Sequence, residues 1–126
     1  MADATDRTAE NVAHVERFLA AFDRRWPAKQ ELDELLAADV RFVERPNLVS
    51  PAGAERDTQA MRAGVEAGRK LLAWQRYEVR DHVAHGDVVV TRMRWTGEFV
   101  RARVDIEGLF STGRGHDTSP TPPARR

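Results

Sequence analysis

The chain has 126 residues, no cysteine, and 20 basic against 20 acidic side chains, for a formal charge of zero. That length suits one domain with its own core. The missing cysteine excludes disulfides, thiol nucleophiles and cysteine-held metals, and zero net charge provides no overall attraction to polyanions.

No apolar run approaches the roughly 18 residues of a membrane span. A soluble, cytoplasmic protein without membrane or nucleic-acid partners is therefore the expectation. Residues 1–7 read as a polar, disordered leader, and Asp6 or Thr8 can cap the helix that follows. Val12, Val15, Phe18, Leu19, Phe22 and Trp26 recur at helical spacing. They predict an amphipathic helix of about four turns, stopped by Pro27. Its aromatic stripe reads as core packing, with Phe18 and Phe22 also able to wall a cavity.

A short helix is expected over residues 29–37, with Leu32, Leu35 and Leu36 on one side. Val40 to Glu44 reads as a strand ended by Arg45-Pro46, and residues 47–56, rich in turn formers, read as a loop. A third helix is expected over residues 57–70, with Met61 and Val65 on its stripe. Gly64 and Gly68 lower its intrinsic stability and suggest close approach to a sheet.

Leu71 to Phe110 contains three strand-like runs and two turn signals. Ala84-His85-Gly86 reads as a three-residue hairpin loop and Gly97-Glu98 as a two-residue turn. Closing both puts Tyr77, Val79, Asp81 and Val83 on one face with Val89, Thr91, Met93 and Trp95. Trp95 then pairs with Val100 and Met93 with Ala102, so Val100, Ala102, Val104 and Ile106 complete an apolar surface. The other face collects Arg76, Glu78, Arg80, His82, Arg92, Arg94, Arg101, Arg103, Asp105 and Glu107. Glu78 is expected opposite Arg92 and Arg92 opposite Arg103, while Arg76, Arg94 and Arg101 form a like-charge row. Such a face is either simply solvated or receives an acidic partner or an anion. Ser111 onward has no apolar periodicity and ends in a proline-rich stretch, so residues 112–126 are expected to be disordered.

Candidate chemistry is sparse. Glu44 shares a strand face with Val40 and Phe42. It either points toward a cavity as an acid–base group or forms an ion pair at the strand end. Asp81 and Thr91 are polar groups on the apolar face, able to orient a ligand or to satisfy each other. Tyr77, Met93 and Trp95 form a cluster suited to core or pocket lining. The four histidines lack metal-ligand spacing, and no phosphate loop, nucleophile elbow or dinucleotide fingerprint appears, so neither metal nor cofactor is expected.

The order of elements is α+β. With Phe18-Leu19-Ala20-Ala21-Phe22, then Leu35 through Phe42 (LLAADVRF), then His85-Gly86-Asp87-Val88-Val89-Val90, the chain resembles the SnoaL-like and ketosteroid-isomerase-like superfamily, which includes nuclear-transport-factor-like proteins. The resemblance implies a cone domain over residues 8–111, a curved antiparallel sheet wrapped round a long N-terminal helix, with the final strand missing or altered. It also implies a ligand pocket at the open end and, often, a homodimer. Ketosteroid isomerases of this kind place an aspartate just before a proline as general base; here that position holds Arg45, which cannot abstract a proton. The expected function is binding of a small hydrophobic molecule lined by Phe18, Phe22, Phe42, Tyr77, Met93 and Trp95, with Glu44 as the acid–base residue if proton transfer or water addition occurs. The alternative is a non-catalytic binding or dimerisation module.

Overall fold

The computed structural model describes residues 4–99 and 102–112. Three helices, α1 (Ala4–Phe22), α2 (Lys29–Leu35) and α3 (Thr58–Leu71), accompany a short hairpin of β1 (Phe42–Glu44) and β2 (Ala54–Arg56). A curved antiparallel meander of β3 (Leu72–His85), β4 (Val88–Phe99) and β5 (Arg103–Thr112) completes the α+β architecture. α1 begins at Ala4, so residues 4–7 of the expected leader are helical, and residues 1–3 lie outside the described ones. β5 runs through Thr112, where the tail was expected to begin; residues 113–126 lie outside the described ones. Among the described residues no strand follows β5.

α1 is the element the others pack on. Its apolar stripe meets the sheet through Val15 and Leu19, which are buried with Val89 and flanked by Phe18, Tyr77, Met93 and Phe110. Ala21 and Phe22 turn the other way, into a core shared with Leu32 of α2 and with Met61 and Val65 of α3. The helix stops at Phe22, before Pro27, because Arg24 takes a left-handed backbone conformation (φ 60°). That conformation costs a non-glycine residue about 1–2 kcal/mol. It lets the Arg24 N–H donate to the Gln75 carbonyl at 2.6 Å, while Asp23 Oδ1 accepts from the Tyr77 N–H at 2.7 Å. The two bonds cover part of the free edge of β3. Trp26 leaves the helix line and lays its ring against Gly68, where a Cβ would collide with it. The close approach on α3 is thus to Trp26 at Gly68 and to the Arg56 side chain near Gly64, instead of to the sheet. Asp57 caps α3 by accepting from the Ala60 N–H.

The expected loop at residues 47–56 ends in β2. Asn47 Oδ1 accepts from the N–H groups of Val49 and Ser50 at 2.9 Å each, folding the turn on itself. Gly53 (φ 72°) faces the Glu44 carbonyl so closely that a Cβ would lie 2.6 Å from it. The chain reverses there, and Phe42 pairs with Arg56 and Glu44 with Ala54.

Both hairpins of the meander differ from the sequence expectation. The first turn is Gly86-Asp87, with Gly86 at φ 58°, since His85 pairs with Val88. Tyr77 pairs with Trp95 and Val79 with Met93, and then a bulge at Arg80 slips the frame by one residue. Beyond it Asp81 pairs with Arg92, His82 with Thr91 and Ala84 with Val89. Asp81 and Val83 therefore move to the outer face, and His82 moves inside. In the second hairpin β4 continues to Phe99, so Trp95 pairs with Ile106 and Met93 with Gly108. The pairings expected with Val100 and Ala102 do not form; Val100 and Arg101 lie outside the described residues. That offset is even, so Trp95, Val104 and Ile106 still share one face. On the outer face Arg94 pairs with Glu78 and with Glu107, which breaks the expected like-charge row.

Candidate functional site

Apart from Asp81, the residues expected to line a site fall into three groups on the concave side of the sheet. Phe18, Phe22 and Phe42 form the first, joined by Phe110, which the sequence reading did not single out. Phe18 stacks on Phe110 at 5.6 Å between centroids and tilts against Phe22 at 5.1 Å, and Phe42 meets Phe110 at 6.3 Å. These rings fill the space between α1, β1 and the end of β5 with one another.

Glu44, at the end of β1, belongs to the same neighbourhood. Its Oε1 accepts from Arg56 Nη1 at 3.1 Å, and its Oε2 accepts from Asn47 Nδ2 at 3.0 Å. Both oxygens are engaged, in a half-buried ion pair. Tyr77 feels that carboxylate. Burial first, then the charges of Glu44 and Asp23, push its phenol well above the ordinary value and keep it neutral. A recess of about 150 Å³ beside Tyr77 is lined by Glu16, Leu19, Ala20, Asp23 and Val79.

The second group surrounds Thr91, which is fully buried. Its hydroxyl lies 2.8 Å from His82 Nδ1, and His82 Nε2 lies 3.0 Å from Glu16 Oε2. The carboxylate fixes the proton on Nε2, so the Thr91 hydroxyl donates to Nδ1. Hydroxyl, imidazole and carboxylate stand in the order of a nucleophilic triad. With no exposure at Thr91, no substrate reaches the hydroxyl, and the chain of bonds serves to satisfy buried polar groups. Asp81, expected beside Thr91, is instead on the outer face, where its carboxylate accepts from Arg92 Nη2 at 2.8 Å, both side chains more than half exposed. The bulge that exchanged Asp81 for His82 has no glycine or proline to announce it.

Trp95 anchors the third group. Its ring lies over Gly97, where any Cβ would strike it, and meets Phe99 edge-on at 6.4 Å. The indole Nε1–H donates to Oε1 of buried Gln75 at 2.9 Å. Gln75 shares the alternation that places Tyr77 inside, so extending that pattern by one step finds it. Met93, half-buried, joins this group to the α1 core. Val104 and Ile106, on the same face of β5, are half-buried. The concave surface is thus closed near the Gly86-Asp87 turn and more open around Trp95.

Among the described residues no group of three or more histidine, aspartate or glutamate side chains is arranged to hold a metal ion. No helix among them is long and apolar enough to cross a membrane. A family model described as a SnoaL-like domain matches residues 15–121. No curated protein matches the chain.

Proposed function

The chain belongs to the SnoaL-like domain family, within the nuclear-transport-factor-like and ketosteroid-isomerase-like superfamily, and on that footing we propose that it binds a small hydrophobic molecule without acting on it. The ligand rests on Met93, Trp95, Val104 and Ile106, at the open end of the concave face. The observation that carries this reading is Trp95 itself. A large indole is held in one orientation by buried Gln75, yet its own surface stays partly open. Such a fixed aromatic platform loses little side-chain entropy when a ligand covers it. Glu44 supports a non-catalytic reading, because its carboxylate is held at the strand end in an ion pair with Arg56 and a hydrogen bond from Asn47, the plainer of its two expected roles.

A second reading keeps Glu44 as the acid–base residue. It draws on the neutral Tyr77 phenol, a hydrogen-bond donor within the electrostatic reach of Glu44. Self-association belongs to the proposal as well, through Val83 and Leu109, which stand 72% and 68% exposed on the outer face.

A thermal-shift screen of uncharged apolar compounds tests these readings on the wild type, Trp95→Ala and Glu44→Gln. Loss of the shift in Trp95→Ala alone is the expected result. No stabilising compound, or one indifferent to Trp95, overturns the binding site. Turnover of a bound compound that disappears in Glu44→Gln establishes the second reading. Light scattering on Leu109→Lys checks self-association.

A further inference from the structure

The outer face of the sheet carries a cleft that none of the preceding chemistry uses. It measures about 340 Å³, and Trp74 lies in it among Arg24, Arg76, Arg94 and Arg103, with Thr96 and Glu78 completing the wall. Trp74 pairs with Glu98 on the outer side of β3, and Arg103 stands on β5 across the width of the sheet. Arg24 comes from the left-handed turn after α1, pinned by its N–H bond to Gln75. The turn after α1 and β5 therefore converge on an indole carried by β3.

The four guanidinium groups are not equivalent. Arg76 lies 3.6 Å from Glu78, and Arg94 lies 3.2 Å from Asp105 and 4.0 Å from Glu107. Arg24 and Arg103 instead stand over Trp74, with their central carbons 5.4 and 5.8 Å from the ring. Among the described residues neither has a carboxylate at ion-pairing distance. A guanidinium held against an aromatic face keeps its in-plane N–H donors free, and these fork a carboxylate in bidentate fashion. Two cations sharing one indole also repel one another, and an anion bound between them relieves that repulsion.

We propose that this cleft is a binding site for a small organic carboxylate, held by Arg24 and Arg103 beside Trp74. The volume has room for an organic body beside the carboxylate, since 340 Å³ lies at the lower end of the roughly 300–1,000 Å³ typical of small-molecule pockets. The site is on the opposite side of the sheet from the proposed apolar platform and is independent of it.

The test follows the tryptophan indole N–H signals of the full-length, 15N-labelled chain during titration with benzoate. Benzamide serves as the uncharged isostere and inorganic phosphate as charge without an organic body. Trp74→Phe assigns the Trp74 signal. A saturable shift of that signal with benzoate is expected, at least about tenfold tighter than with benzamide or phosphate. Arg24→Gln and Arg103→Gln should each weaken it by about tenfold, the loss of one charge-assisted fork. Arg103→Lys, which keeps the charge but not the fork, guards against misreading a folding defect and should also weaken binding. Equal binding of benzamide, equal binding of phosphate, a response confined to Trp26 or Trp95, or unchanged affinity in the arginine variants each overturns the proposal. So does a benzoate-insensitive dimer that Arg103→Gln dissociates, because the cleft would then be a protein contact.

Discussion

The concave face of the sheet has two ends built from the same alternation of residues and finished in opposite ways. Near the Gly86-Asp87 turn, Val89 and Thr91 are completely buried under α1, and the polar atoms there close on one another through His82 and Glu16. Around Trp95, the polar bond to Gln75 is equally well formed, but Met93, Val104 and Ile106 remain half-buried. The difference lies in coverage: α1 packs on β3 and β4 through Val15 and Leu19 and reaches β5 through Phe18 against Phe110. A triad-like set of side chains in the closed end is therefore shut off from any substrate, while the proposed ligand platform lies at the open end, on Trp95.

The largest effect expected from breaking this contrast is Leu19→Ala, which removes the buried side chain sealing the closed end. A loss of about 2–5 kcal/mol in unfolding free energy is expected, measured by denaturant titration. Thr91→Val comes next. It keeps the shape and removes the hydroxyl donor to His82, at a cost of about 1–3 kcal/mol because the imidazole nitrogen is left without its partner. Trp95→Phe deletes the corresponding bond to Gln75 at the open end, where the ring itself is only half-buried, and should cost less, about 1 kcal/mol. If Trp95→Phe proves as damaging as Thr91→Val, the two ends do not differ in solvent access, and the platform reading fails.

The sequence was most legible where a local rule met no competitor. The helical stripe from Val12 to Phe22 and the shared face of Trp95 and Ile106 both follow from periodicity. The face assignment survived a wrong second turn because the offset was even; it failed at Asp81 and His82 because a bulge at Arg80 is an odd one. Nothing in Val79-Arg80-Asp81 announces that bulge, and Val83 continues the misleading apolar alternation outward into solvent. The hairpin of β2 was hidden by its shortness, three residues after a turn closed by Asn47 and Gly53. The ring of charge around Trp74 was half visible: alternation puts Arg76, Arg94 and Arg103 on the outer face, but Arg24 arrives from a distant turn that only tertiary structure brings near.

Tyr77 separates the closed end from the open one and supplies a pH signature. Its phenol is raised above the ordinary value of 10, so the neutral form is favoured in the folded protein. That contribution to stability is fully present below pH 10 and is lost as pH rises toward the folded value. The wild type should therefore lose stability above about pH 10 more steeply than Tyr77→Phe, as read from thermal midpoints across an alkaline series.

The smallest effect concerns the outer face. The Thr96 hydroxyl, then Arg94 by hydrogen bond and charge, and Arg103 by charge, hold the exposed Asp105 carboxyl below its usual value. A lowered carboxylate stabilises the fold above its unfolded pKa, and the benefit disappears as pH falls through the lower folded value. Asp105→Asn should thus be slightly less stable than the wild type near neutral pH, and the gap in melting temperature should close in acid, below about pH 4. A gap that persists in acid would mean that Asp105 acts by packing. If it acts by charge, its removal also frees Arg94, and benzoate should then bind the cleft around Trp74 more tightly in Asp105→Asn than in the wild type.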